Sequence, residues 1–426
     1  MSDDPSRKTI PIVPVAADGE LVSLYASSKK IYPRTVQGLF ARWRWFFVAL
    51  TQVIFYGLPW LEWGQRQAVL FDLGARRFYV FGLVLYPQDF IYLTGFLVIS
   101  ALSLFLFTAV AGRLWCGFAC PQTVYSEIFM WIERKVEGDR TARLRLDSGP
   151  FTLEKLVKKW AKHLFWFMVA MWTGFTFVGY FTPIKALGLE FLQTRMSSWE
   201  VFWVFFYALA TYGNAGFMRE QVCKYMCPYA RFQSAMFDQD TMIITYDHAR
   251  GEPRGARKHG EYAGLGHCVD CGICVQVCPT GIDIRNGLQY ECIGCAACAD
   301  GCDQVMDKMG YSRGLIRYST THALRLGLSR AQMFARAFRP RILFYIAILG
   351  LVVMATTTAL LQRVPLKLDV IRDRAAMSRE LDGGLIENVY RLQVMNATEE
   401  PLALQLNVTG LPGLAVSLNE DRKSVV

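Results

Sequence analysis

Residues 267–303 read HCVDCGICVQVCPTGIDIRNGLQYECIGCAACADGCD. Cys268, Cys271 and Cys274 stand with two residues between neighbours, and Cys278-Pro279 follows after three more. The spacing then repeats at Cys292, Cys295, Cys298 and Cys302. This is the run of bacterial two-cluster ferredoxins, in which the fourth Cys of a run ligates the other cluster. A short loop wraps three corners of an iron–sulfur cubane, and the next turn carries the fourth thiolate to the neighbouring one. The spacing assigns Cys268, Cys271, Cys274 and Cys302 to one [4Fe–4S] centre, and Cys292, Cys295, Cys298 and Cys278 to a second. Gly272, Gly294 and Gly301 suit tight backbone near inorganic sulfur. Structural zinc takes four ligands, commonly in separated Cys-x2-Cys pairs, which two matched four-Cys runs exceed. Asp303 stands where the second run would carry Pro; ligation survives, because Pro is not a ligand. His267 reads as a solvated loop residue rather than a ligand.

Outward from this core the composition changes. The 426-residue chain is 53% hydrophobic and only 19% charged, against roughly a quarter charged in soluble domains. Intrinsic disorder, a coiled coil and a small secreted disulfide scaffold are excluded. Five apolar runs, at 45–61, 89–112, 164–182, 200–218 and 342–361, approach the ~17–25 residues that cross ~30 Å of hydrocarbon. Pro59 softens the end of the first. The run Phe78–Tyr86 is too short to span and pairs with Ala68–Leu73 across Gly74-Ala75 as a hairpin.

Lys and Arg crowd residues 1–44, 113–159 and 219–341 but are sparse in the loops 62–88 and 183–199. Basic residues mark the cytoplasmic side. The expected topology therefore has a cytoplasmic N-terminus, clusters in the reducing cytoplasm, and a periplasmic C-terminal tail. The net charge of +10 reads as topology rather than as a nucleic-acid surface. No cleavable signal peptide is expected, since the first forty residues lack an apolar h-region and contain Asp3, Asp4 and Asp18.

After the fifth run, residues 386–408 alternate apolar and polar positions around Asn396 and a Pro401 turn, as short strands of a β-sandwich do. A full sandwich takes about 100 residues, so the segment 362–426 is expected to be small or incomplete. The sequons at Asn396 and Asn407 are taken as chance. The fold expected is a polytopic α-helical membrane protein with about five transmembrane helices, a cytoplasmic 2[4Fe–4S] ferredoxin domain and a C-terminal Ig-like β segment. Its divisions are 1–44, 45–218, 219–341, 342–361 and 362–426.

The other four Cys flank the apolar runs. Cys116-Gly-Phe-Ala-Cys120-Pro121 follows the second and Cys223-Lys-Tyr-Met-Cys227-Pro228 the fourth. The shared Cys-x3-Cys-Pro spacing at matching places points to an internal repeat. Two local geometries are open. A continuous helix puts both sulfurs on one face. Alternatively, Pro121 and Pro228 open helices, placing thiols at a helix N-terminus, where their pKa falls; Arg113, Arg219 and Lys224 push the same way. Soft thiolates select Cu(I) and can also cycle as a disulfide. Burial as small hydrophobes is the plainer reading of any single membrane Cys.

The aromatic residues nearby (Trp115, Phe118, Tyr125, Tyr225, Tyr229) read as interfacial anchors, with a quinone pocket as a lesser alternative. A haem role for His163 and a ligand set from His248, His259 and His322 find no supporting pattern. No Walker, dinucleotide or CxxCH motif is present, so nucleotide and c-type haem binding gain no support. The basic stretch Arg313–Arg341 suits a phospholipid surface better than DNA.

Together these motifs resemble the CcoG (FixG/Rdx) family, accessory proteins of cbb3-type cytochrome c oxidase in bacteria. The likeness is carried by RQAVLFDLGARRFYVFGLVLYPQDF, RLWCGFACPQTVYSEIFMWIER and EQVCKYMCPYARFQSAMFD and covers nearly the whole chain. Members of that family continue to a complete Ig-like domain, whereas this sequence stops at Val426. The resemblance implies an inner-membrane cupric reductase, converting Cu(II) to Cu(I) for oxidase assembly. Cys116, Cys120, Cys223 and Cys227 would then be its copper-side catalytic residues. It further implies copper transport and chaperone proteins as partners, with an unidentified cytoplasmic electron donor. The membrane motifs are shared with NapH/NosR-like proteins. A quinol-linked electron-transfer subunit and a membrane redox sensor therefore remain alternatives.

Overall fold

The computed structural model describes residues 30–258, 264–364, 366–372, 378–381, 385–397, 403, 405–410, 412 and 414–417. Asp3, Asp4, Asp18, His259 and the Pro401 turn lie outside the described residues.

Each long apolar run forms a helix: Leu39–Gly57, Phe90–Ala111, Leu153–Val178, Ser198–Gly216 and Pro340–Leu361. Local chemistry sets their starts. Ser197 and Glu200 close a capping box on the Ser198 helix, with Glu200 N donating to Ser197 Oγ at 3.3 Å and Ser197 N donating to Glu200 Oε2 at 2.9 Å. Thr152 caps the Leu153 helix through Lys155 N, and Pro340 occupies the first turn of the last helix.

Two helices, Pro87–Ala111 and Pro340–Leu361, are long and apolar enough to cross a membrane. Ser198–Gly216 with Arg219–Met226 makes a third only as a pair bent by 95°. The Leu39 and Leu153 helices have the length, at 19 and 26 residues. They also carry Arg42 and Arg44, and Lys155, Lys158, Lys159 and Lys162, in their N-terminal halves. Among the described residues, two or three helices rather than five therefore meet that standard.

The Leu153 and Ser198 helices pack against helix Pro121–Glu137 around Phe129, Ile132, Trp166, Ala170, Ala208 and Ala215. Trp166 Nε1 donates to Phe129 O at 3.0 Å, which satisfies the indole where it is buried. Gly174 allows the close crossing: a Cβ there would collide with Val204 O. Gly95 likewise faces Thr356 across the Phe90 and Pro340 helices.

One end of the bundle gathers the β elements. The expected hairpin is a three-stranded antiparallel meander, Val69–Asp72, Arg77–Val80 and Leu83–Leu85. The second run folds again because Phe81, at φ 52°, and Gly82 make a turn inside it. Beyond the last helix, Leu366–Arg372 pairs antiparallel with Tyr390–Asn396, and Arg379–Leu381 with Leu385–Glu387. Met395 packs on Val84 and Tyr86, and Tyr86 OH donates to Asn396 O at 2.7 Å. Asp89, its side chain fully buried, takes ion pairs from Arg363 and from Lys367 (2.5 Å).

The other end carries the ferredoxin segment. Strand Ile243–Tyr246 pairs antiparallel with Ile316–Ser319. Helix Ala297–Met309 packs there through its Met306 with Ile284 and Leu315, all buried, each worth about 1.5–3 kcal/mol of apolar burial. Asp300 on this helix accepts from Phe40 N at 3.2 Å and Ala41 N at 2.7 Å. A ferredoxin carboxylate thus caps the first turn of the Leu39 helix.

Candidate iron–sulfur and thiol site

The two Cys runs fold as loop-then-helix. Gly272 and Ala296, both left-handed, turn the chain into helices Ile273–Gln276 and Ala297–Met309. Ala296 takes the less common non-Gly version of that conformation. The turns let three Cys of each run face one void. One cavity is lined by Cys268, Cys271, Cys274 and Cys302. A second is lined by Cys278, Cys292, Cys295 and Cys298, with Cys274 at its edge. Each cavity thus gathers the first three Cys of one run with the last Cys of the other.

Asp303 continues the Ala297 helix, where Pro would interrupt it. Its Oδ1 accepts from Gly314 N at 2.8 Å. His267 is packed rather than solvated: its ring stacks on Tyr311 at 4.7 Å, and its Nδ1 accepts from Arg250 Nε at 3.0 Å. It lines neither cavity.

The donor sets fit iron–sulfur clusters. Among the described residues, neither cavity is lined by a carboxylate or an imidazole. Burial pushes the Cys274 thiol up to about 11, and those of Cys292 and Cys302 up to about 12. Such thiols ionise when a metal cation joins them. Among the described residues, no group of three His, Cys, Asp or Glu is drawn together for a single metal ion. A cubane asks for the opposite, since each sulfur binds its own iron across an intervening void.

The four Cys-x3-Cys-Pro thiols form a third set. Cys116, Cys120, Cys223 and Cys227 lie near enough for charge on one to be felt by others. In each motif the second Cys caps a helix opened by Pro, Pro121–Glu137 or Pro228–Met236. The first Cys sits in a separate turn, the short helix Leu114–Phe118 or the π-turn Val222–Met226. The continuous-helix alternative is thereby removed. The expected lowering of thiol pKa is also corrected. Burial pushes Cys116 up to about 11 and Cys223 up to about 12, and raises Cys120. The cationic pull of Arg113 on Cys116 and Cys223 is present but smaller than the desolvation.

This thiol set abuts the second cavity. Cys116 and Cys223 pack with Ile293 and Cys295. A Cβ on Gly117 would lie 2.8 Å from Cys295 Cα and N, and one on Gly294 3.0 Å from Arg113 O. The buried Arg113 guanidinium donates to the carbonyls of Tyr290 and Ala230, and to Cys292 O at 3.3 Å. One side chain thus ties both membrane motifs to the cluster loop.

Cys116 Sγ donates to Gln233 Oε1 at 3.3 Å, and Gln233 is fully buried. Sequence reasoning missed Gln233, Arg285 and Asp300. The position of Gln233 on the helix opened by Pro228 was the available signal. Arg285 lines the first cavity, held by Asp283 at 2.7 Å and by Asp270. His163 accepts or donates a 2.8 Å hydrogen bond with Tyr212 OH and stacks on Phe217, away from the cysteines.

Fold and cavities define an iron–sulfur electron-transfer protein attached to a helical bundle. Comparison with known proteins agrees. A "4Fe-4S dicluster domain" model matches residues 218–321, a "4Fe-4S binding domain" model residues 93–137, and the model of the Ig-like fold at the C-terminus of FixG residues 356–426. The nitrogen fixation protein FixG of Rhizobium meliloti is 38% identical over 91% of this chain and 81% of its own length. Protein RdxA of Cereibacter sphaeroides is 40% identical over 93% and 85%, and RdxB of the same organism 40% over 96% and 88%. The chain belongs to the FixG/Rdx family. No solved structure matches it.

Proposed function

We propose that this protein is a membrane-bound iron–sulfur cupric reductase that supplies Cu(I) for assembly of a cbb3-type cytochrome c oxidase. The observation that carries the reading is the seating of Cys116 and Gly117 against the Cys292–Cys295 loop. [4Fe–4S] clusters supply one-electron transfer when bound. Cys268, Cys271, Cys274 and Cys302 would hold one, and Cys278, Cys292, Cys295 and Cys298 the other. Copper is the substrate: Cu(II) takes one electron and becomes Cu(I), which soft thiolates retain. Cys116, Cys120, Cys223 and Cys227 supply those sulfurs, losing protons as copper binds.

The alternation of basic and poorly basic segments supports five crossings of a bacterial inner membrane. On this reading the N-terminus and the ferredoxin segment are cytoplasmic and the β elements periplasmic. An electron donor then meets the protein from the cytoplasm, and copper transporters and chaperones receive the product.

The test is anaerobic titration of the dithionite-reduced protein with Cu(II). Stoichiometric return of the oxidised-cluster absorbance with Cu(I) appearing supports the reading; bleaching would report loss of the cluster instead. The Cys116→Ser and Cys223→Ser variants should keep their iron and lose this reaction. If both iron and activity persist, the thiol assignment is wrong.

A second reading has its own support. The model matching residues 93–137 is described as a 4Fe-4S binding domain, and four thiols close enough to feel one another's charge suit a further cluster. It requires the same two variants to lose roughly a third of the iron. Quinol oxidation by purified protein without copper would favour a quinol-linked role. A labile cluster without turnover would favour a sensor.

A further inference from the structure

A further cavity borders the second cysteine set at the Val277–Pro279 turn, yet no cysteine lines it among the described residues. It measures about 680 Å³ and is walled by Arg34, Arg42, Arg44, Arg134 and Arg143, with Glu127 as the one acidic side chain among its described lining residues. The walls come from the first turns of the Leu39 helix, the Pro121 helix and helix Arg140–Ser148, with the Val277–Pro279 turn at one edge.

Five guanidiniums around one carboxylate are not charge-balanced. Glu127 is already shared between Arg44 at 3.7 Å and Arg134 at 3.3 Å. Arg143 turns partly away, to Glu133 at 3.2 Å and to Pro33 O. Among the described residues neither Arg34 nor Arg42 has an acidic partner. Arg44 and Arg143 are 9% and 1% exposed, and the Nε of each is buried without a hydrogen-bond acceptor. Buried guanidinium donors without acceptors are costly. Crowded like charges add to that cost.

We propose that this cavity is a binding site for a phosphate group, which would accept from the arginine forks and offset their repulsion. Arginine matches phosphate through paired N–H donors, so a cluster of forks selects phosphate by geometry as well as by charge. The phosphate has two sources, the headgroup of an acidic phospholipid or a soluble phosphate compound. Trp45, an exposed residue at the cavity wall, pairs with Trp131 at 6.3 Å. Indoles at the end of an apolar helix and basic pockets between helices both occur at headgroup depth.

The experiment uses the full-length protein in detergent and its Arg34→Gln/Arg42→Gln double variant. These two arginines lack acidic partners, so their loss breaks no ion pair. One arm measures phosphatidylglycerol retention by native mass spectrometry, with phosphatidylcholine as control. The other titrates inorganic pyrophosphate by calorimetry. Saturable binding to one site, weakened at least tenfold in the double variant, is expected in one arm, and that arm identifies the source. The proposal is overturned if neither probe binds saturably, or if the variant binds both as well as the parent. Thermal melts keep the test sound. Without either probe the double variant should melt no lower than the parent, since it relieves repulsion. A lower melting point would assign the arginines a purely structural role and also overturn the proposal. Arg42→Lys, which keeps charge and loses the fork, should bind with intermediate affinity.

Discussion

Gly117 lies against Cys295, so close that a Cβ on Gly117 would stand 2.8 Å from the Cys295 Cα and amide nitrogen. The first Cys-x3-Cys-Pro motif and the cluster-binding loop therefore share a backbone contact. In an isolated helix Gly→Ala is favourable by about 1 kcal/mol. Here the added methyl has only backbone to displace, and such overpacking costs about 1–3 kcal/mol. Gly117→Ala is expected to lower the melting temperature and reduce iron retention at the Cys295 cavity, read by iron analysis and EPR. A variant as stable as the parent, with full iron, would show that the two motifs do not press on each other.

Arg285 faces the other cavity, where it lines the wall beside Cys268, Cys271, Cys274 and Cys302. Its partners Asp283 and Asp270 would be left as bare carboxylates by Arg285→Gln. Removing a cation and exposing two anions disfavours adding an electron nearby, since net charge sets cluster potential. The potential of one centre should become more negative in an EPR-monitored redox titration, while the other stays unchanged. Equal movement of both centres would speak against the local effect.

Which Cys share a cavity was legible in the sequence, because three-residue spacing with a fourth Cys displaced is a geometric constraint on one loop. The helices were legible because apolar length is a local property. What lay beyond reach depended on contacts between distant segments. Cys116 and Cys223 carry no sign of how deeply they are buried. Arg113 and Lys224 pointed to acidic thiols, yet desolvation, which only the folded packing sets, outweighs them. Phe81 looked like the middle of a strand and is a turn, because its left-handed backbone is imposed by the meander. The arginine cavity assembles residues from 34 to 143 and the 277–279 turn, a set no linear pattern would join.

Asp89 joins the start of the Phe90 helix to the C-terminal β segment through Arg363 and Lys367. Its carboxylate is wholly buried, and removing one partner of a buried pair costs about 3–5 kcal/mol. Asp89→Asn leaves two cations uncompensated and should loosen the contact of Met395 and Asn396 with the meander. Limited proteolysis should then cut within 364–397 faster than in the parent, with iron content unchanged. Equal cutting rates would show that Tyr86 and the apolar contact hold the segment alone.

Glu133 anchors the most buried charge cluster. Its side chain is 1% exposed and meets Arg219 at 2.9 Å, Arg143 at 3.2 Å and Lys162 at 3.9 Å. Burial alone would raise its pKa; the attraction of Arg219, Arg143 and Lys162 outweighs that and holds the carboxyl below its ordinary value. A carboxyl with a depressed folded pKa contributes stability above its unfolded pKa of about 4.3 and loses it as pH falls through the folded value. Stability should therefore decline with acidification below about pH 4, and Glu133→Gln should flatten that decline. At neutral pH the variant deprives Arg143 and Arg219 of this carboxylate, while Lys162 keeps Glu137 at 3.0 Å, and it should lose about 3–5 kcal/mol. Thermal unfolding of both proteins across a pH series measures the two effects together. A variant with the parent's acid slope would place the titrating group elsewhere, and one with the parent's neutral stability would show that the cations find other acceptors.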